Sequence, residues 1–117
     1  LVCSTNELEN NMQIETIITA KFHNKKLRED SNKITIKLLN ESSKEDYDKY
    51  ISVLQMFSLY LTENSGYDIT YTDEDNEFSL EITTTYQKDK KIDSNLEYDE
   101  DYDSVKQKLI ELGNNCN

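Results

Sequence analysis

Two cysteines, Cys3 and Cys116, the single histidine His23 and two acidic runs are the residues whose types could do chemistry in this chain. The runs are Asp73-Glu74-Asp75-Asn76-Glu77 and Asp99-Glu100-Asp101 with Asp103. Carboxylates so grouped could supply oxygen ligands to calcium. Neither run has the glycine or the twelve-residue spacing of an EF-hand loop, and solvated acidic turns are far commoner. Two cysteines and one histidine fall short of the four ligands of a structural zinc site. Thiol chemistry needs a neighbouring base or positive charge to lower the thiol pKa, and the sequence around Cys3 and Cys116 offers neither. His23 stands beside an expected turn without a fixed partner and reads as an exposed structural histidine. No Ser/His/Asp order, phosphate-cradling glycine loop or paired-carboxylate signature accompanies these residues. The expectation is no catalytic residue, no metal, no cofactor and no enzyme activity.

The placement of the cysteines at opposite ends of the chain is informative. Termini of compact domains often lie close together, and a bridge between them would close a loop of roughly 110 residues, about 4 to 5 kcal/mol by chain entropy. Such a staple suits an oxidising compartment; two free thiols in a cytosolic protein are the alternative.

The chain has 117 residues, expected to form one domain over residues 1–117, with 13 basic against 24 acidic side chains and a formal charge of -11. That charge repels phosphate backbones and anionic lipid surfaces, so nucleic acid is excluded as a partner. Periodic apolar segments and eight tyrosines argue against disorder. No stretch approaches the roughly 20 apolar residues that span a bilayer. The chain opens on Leu1 in place of a methionine, so a preceding segment is expected, either a signal peptide or a membrane anchor.

The elements that must position these residues centre on Ser42 to Gly66, read as one amphipathic helix. Tyr47, Tyr50, Ile51, Leu54, Phe57 and Leu61 recur at three-and-four spacing on one face. Ser42 and Glu45 have the form of a capping box, and Asn64-Ser65-Gly66 offers a stop. Before it, Met12, Ile14, Thr16, Ile18, Ala20 and Phe22 alternate as a half-buried strand over 12–23, Asn24-Lys25 makes a turn, and 26–39 returns. Leu27 has the opposite parity from Ile34, so either a bulge lies near Glu29 to Asn32, the favoured reading, or that stretch is loop. Strands over 67–73 and 77–86 form a second hairpin, 87–101 reads as a surface loop, and 102–112 is a short helix ended by Gly113. The polar residues 4–11 read as an arm, ordered only by a Cys3–Cys116 bridge.

This order, ββαββα, predicts an α+β fold: a four-stranded antiparallel sheet with two helices on one face. The other face carries Glu15, Thr19, Lys21, Thr35, Lys37, Thr70, Thr72, Glu81, Thr83 and Thr85 and is either solvated or a docking surface.

The segments IETIITAKFHNKKL, YDKYISVLQMF and EFSLEITTTY and the ending YDEDYDSVKQKLIELGNNCN resemble small extracytoplasmic domains of low-GC Gram-positive bacteria related to the YehR-like lipoproteins. Those domains carry a cysteine near the membrane-proximal start and another in a glycine-x-x-cysteine ending, positions that Cys3 and Gly113 to Cys116 match. The resemblance implies tethering outside the membrane and an uncharacterised function. Val2 stands where a small residue normally precedes a lipid-carrying cysteine, and lipidation would strand Cys116, so the disulfide is preferred. The reading that follows is a monomeric, non-enzymatic cell-envelope module, held to the membrane only through what precedes Leu1, that binds an envelope protein or ligand. The alternative is an acidic inhibitor or immunity-type protein that neutralises a basic partner.

Overall fold

The computed structural model describes residues 1–62, 67–89 and 95–117. They form an antiparallel sheet of strands β1 (Val2–Glu9), β2 (Met12–His23), β3 (Lys26–Leu38), β4 (Tyr67–Glu74), β5 (Glu77–Thr85) and β6 (Asn115–Cys116), with helices α1 (Lys44–Thr62) and α2 (Tyr102–Glu111). The six strands are ordered β4-β5-β3-β2-β1-β6. Overall dimensions of 48 × 32 × 18 Å are those of a broad sheet under a single helix layer.

The α+β class stands, but the four-stranded sheet expected from the sequence is corrected to six strands. The supposed arm is β1, which pairs along its whole length with β2 from Val2 opposite Thr19 to Glu9 opposite Met12. Asn10 and Asn11 join the two with φ of 51° and 59°, the left-handed pair that a two-residue hairpin needs and that asparagine tolerates best after glycine. Beyond α2 the chain adds β6, which sets Cys116 opposite Cys3 and Asn115 opposite Ser4. Backbone pairing therefore orders the arm, whose side chains showed no apolar face.

The β2–β3 hairpin turns at Asn24 and Lys25, both with positive φ. The parity conflict of Leu27 and Ile34 is resolved by a bulge: Phe22 faces Leu27 and Lys21 faces Glu29, leaving Arg28 as the extra residue, just N-terminal to the expected window. Arg28 is then free to hold the chain ahead of α2. Its guanidinium donates to Asp99 Oδ1 at 2.6 Å and lies 4.6 Å from the Tyr98 ring centroid. The described part of the expected 87–101 loop is thus tied down, and Leu96 is buried. Backbone bonds from Leu27 N to Glu100 O and from Tyr102 N to Lys25 O complete the attachment.

The 3-10 turn Glu41–Ser43 that leads into the long helix is capped by Asn40, whose side chain accepts from Ser42 N at 2.9 Å. The expected capping box at Ser42 and Glu45 is replaced by this asparagine cap. The expected stop at Asn64-Ser65-Gly66 lies outside the described residues. Gly113 ends α2 at φ 96°, with Gly113 N bonded to Ile110 O and Asn114 N to Leu109 O, a Schellman closure.

Two cores lie side by side on one face. Tyr47 and Ile51 of α1 cover Met12, Ile36, Leu38, Phe78 and Leu80. Val105 and Leu109 of α2 join Cys3, Ala20, Leu27, Tyr86 and Leu96. The buried line of α1 runs through Tyr47, Ile51 and Ser58, so Tyr50 and Phe57, expected inward, remain exposed.

Candidate functional site

Between the two cores the sheet floor turns polar. Asp30 and Asn32 continue the inward parity of Ile34, Ile36 and Leu38 along β3; Asp30 lies opposite Ala20 and Thr84, and Asn32 opposite Ile18 and Ile82. The space above them is a cleft of about 320 Å³, walled by Phe57 and Leu61 of α1 and by Leu109 and Leu112 at the end of α2. Apolar walls around a few convergent polar groups are the usual make-up of a small-ligand site.

The polar groups of the floor are not equally satisfied. Tyr86, itself buried, donates its hydroxyl to Asp30 Oδ2 at 2.5 Å. Burial raises the Asp30 carboxyl above the usual carboxylate range, the Tyr86 hydrogen bond draws it partly back, and the neighbouring Glu29 charge pushes it up further. Asn32 Oδ1 is buried with no hydrogen-bond partner among the described residues. Leaving such an acceptor unmade costs about 1 to 3 kcal/mol, which a donor brought by a ligand would return.

One flank of α1 extends the apolar character of the cleft into solvent: Tyr50, Val53, Phe57 and Tyr60 are all exposed, as are Met56 and Leu59. Large apolar side chains grouped on one helix are unusual on a chain of net charge -11.

A second hollow, of about 500 Å³, lies on the opposite flank of α1, where Tyr47 and Asp48 meet Asp73 and Glu74 at the end of β4 and Asp75 in the turn after it. Tyr47 is 3% exposed, and its hydroxyl has no hydrogen-bond partner among the described residues. Its phenol is raised above its ordinary pKa by burial and then by Asp73, Asp48, Glu77 and Asp75. Lys44 reaches across to Asn76 Oδ1 at 3.1 Å.

The residues singled out in the sequence fall as follows. The sulfurs of Cys3 and Cys116 stand at disulfide distance, 2.01 Å, with Cα atoms 4.1 Å apart, slightly closer than the commonest range. His23 is exposed at the end of β2. The second acidic run is engaged in holding the fold: Asp99 pairs with Arg28, Asp101 with Lys26, and Glu100 with Lys108 at 2.9 Å. Among the described residues no three of His, Cys, Asp or Glu are grouped to hold a metal ion. The threonine-rich face is continuous, with Glu15, Thr35 and Ser79 in one line and Thr19, Ser31 and Thr83 in another. Asp30, Asn32 and Tyr86 were not singled out by sequence reasoning. The signal for the first two was their parity, polar residues at inward positions of a half-buried strand.

No protein-family model matches the chain, and neither a curated protein nor a solved structure gives a match.

Proposed function

We propose that this chain is a non-enzymatic binding module of the cell envelope, working outside the membrane, and that its cleft between α1 and α2 takes a small apolar molecule carrying a protonated amine. The observation that carries the reading is the Asn32 carbonyl, unpartnered among the described residues, beside the Asp30 carboxylate under apolar walls. Two acceptors on one floor call for a ligand that donates, and an ammonium group offers three donors and a charge that Asp30 matches. A net charge of -11 draws cations toward the surface.

The compartment is supported by the cysteine pair at disulfide distance, which suits an oxidising environment. The resemblance to YehR-like lipoproteins points the same way. The reading takes the module as a monomer, since each copy repels the next.

Calorimetric titration with hexylamine against its neutral counterpart, 1-hexanol, tests the cleft. The amine is expected to bind at least about tenfold more tightly, with affinity rising about fourfold per added methylene up to hexyl. Asp30→Asn should erase the preference for the amine. Equal affinities, or no binding of either, would sink the proposal.

A second reading, an acidic inhibitor or immunity-type protein that neutralises a basic partner, is favoured by the net charge and by the hollow at Tyr47.

A further inference from the structure

The acidic hollow has a feature that solvated carboxylates alone would not give it. Tyr47 is packed under α1 at 3% exposure, yet its hydroxyl reaches no partner among the described residues. Exposed carboxylates cost nothing to leave in water, whereas a buried hydroxyl left without a bond does. Asp73 and Glu74 at the end of β4, Asp75 in the turn after it and Asp48 line the same hollow, and among the described residues Lys44 is the one cation lining it. Lys44 is already engaged, with Asn76 Oδ1 at 3.1 Å and Asp48 Oδ1 at 3.8 Å. Tyr47 shares its buried core with Ile51 and Phe78.

We infer that this hollow is a recognition site for an arginine side chain of a basic polypeptide, with Asp73 and Asp75 pairing the guanidinium and the Tyr47 hydroxyl accepting one of its N–H groups. The inference rests on the second reading above, that of a basic partner, and is independent of whether the cleft is occupied. Guanidinium suits the site better than ammonium because its planar fork offers five donors spread over a width that carboxylates on two sides can share. Among the described residues no three of His, Cys, Asp or Glu are grouped here to hold a metal ion. A polypeptide is favoured over a free ion because the hollow opens to solvent along α1 and the charge of -11 acts over the dimensions of a whole partner.

The test is a titration of isotope-labelled protein, followed by amide chemical shifts, with a glycine-serine octapeptide carrying two arginines. The probes beside it are the same peptide with citrulline for arginine, and guanidinium chloride alone at low concentration. Shifts are expected at Tyr47, Asp48 and residues 73–75, with the citrulline peptide at least about tenfold weaker. Asp73→Asn with Asp75→Asn should weaken the arginine peptide about tenfold, while Asp89→Asn with Asp103→Asn, the same charge change elsewhere, should leave it within about twofold. Tyr47→Phe should weaken the peptide about threefold and leave the thermal midpoint unchanged or raised, because the hydroxyl it deletes has no partner among the described residues. Shifts spread over Asp99 to Asp103, or equal loss in both double variants, would overturn the site while leaving a basic partner standing. No binding of the arginine peptide would overturn both, and guanidinium ion binding as tightly as the peptide would overturn the polypeptide as its source.

Discussion

Removing the Cys3–Cys116 link by Cys116→Ser should cost this chain at least as much as a typical core truncation, and the structure allows the amount to be worked out. The two residues are 113 apart in sequence, so the link closes nearly the whole chain into one loop. The chain-entropy relation gives about 16 cal/mol/K for a loop of that size, or about 4.8 kcal/mol at room temperature. Cys3 is wholly buried in the core beneath α2, and Cys116 is half-buried beside it, so a serine at 116 deletes the bond while keeping the Cys3 packing. Unfolding entropy near 2.1 cal/mol/K per residue over 117 residues converts the loss to a fall in Tm of about 20 °C. Native disulfides commonly deliver 2 to 5 kcal/mol, so a fall of about 8 to 20 °C is expected. The assay is thermal unfolding by circular dichroism with and without reductant. Wild type should drop to the variant's midpoint on reduction, and the variant should not respond. A drop below about 2 °C in an oxidised sample would refute the loop-closure account, because it would mean that β1 and β6 stay paired in the unfolded chain.

Other expectations follow from the two cores and from two half-buried carboxylates. Ile51→Ala removes a buried side chain over Phe78 and Leu80 and should cost about 2 to 4 kcal/mol in urea unfolding, and Leu54→Ala, at a half-buried position, clearly less. Equal costs would mean that α1 is rotated from the position described. For Glu100, burial pushes the carboxyl up, but bonds from Lys108, Ser104 and the Glu97 backbone outweigh it, so the folded pKa lies below the unfolded one. Its contribution is present at neutral pH and is lost as pH falls through that lowered value, so Glu100→Gln should flatten the acid limb of the stability curve. Asp30 has the opposite sign. Its folded pKa is raised, so it weakens the fold at neutral pH and this penalty fades as pH falls through the raised value, a fade that Asp30→Asn should abolish.

The sequence showed the strands with an apolar face and the helix ended by glycine, because those elements bury one side and carry their own stop. β2 from Met12, β5 from Glu77 and α2 before Gly113 begin or end within a residue of expectation. β1 was not legible because Ser4, Asn6, Glu7 and Glu9 give neither face an apolar set; its order comes from the Asn10-Asn11 turn and the ladder on β2. The rotation of α1 was not legible either. The run from Tyr50 to Leu61 is apolar on more than one side, and only contact with the sheet decides that Tyr47, Ile51 and Ser58 go inward. Ser58 is accommodated there because its hydroxyl donates to Gln55 O at 2.8 Å. The cleft was hidden by the bulge: until Arg28 is known to be the extra residue, the parity of Asp30 and Asn32 cannot be tied to that of Phe22 and Leu27.

The most direct test of the central claim is a set of intermolecular nuclear Overhauser contacts between hexylamine and methyl-labelled protein. Contacts from the hexyl chain to the methyl groups of Ile82, Leu109 and Leu112, with the Asn32 side-chain amide shifted on binding, are expected if the cleft is the site. Contacts confined to Val53, Met56 and Leu59 on the outer side of α1, or none at saturating amine, would contradict it.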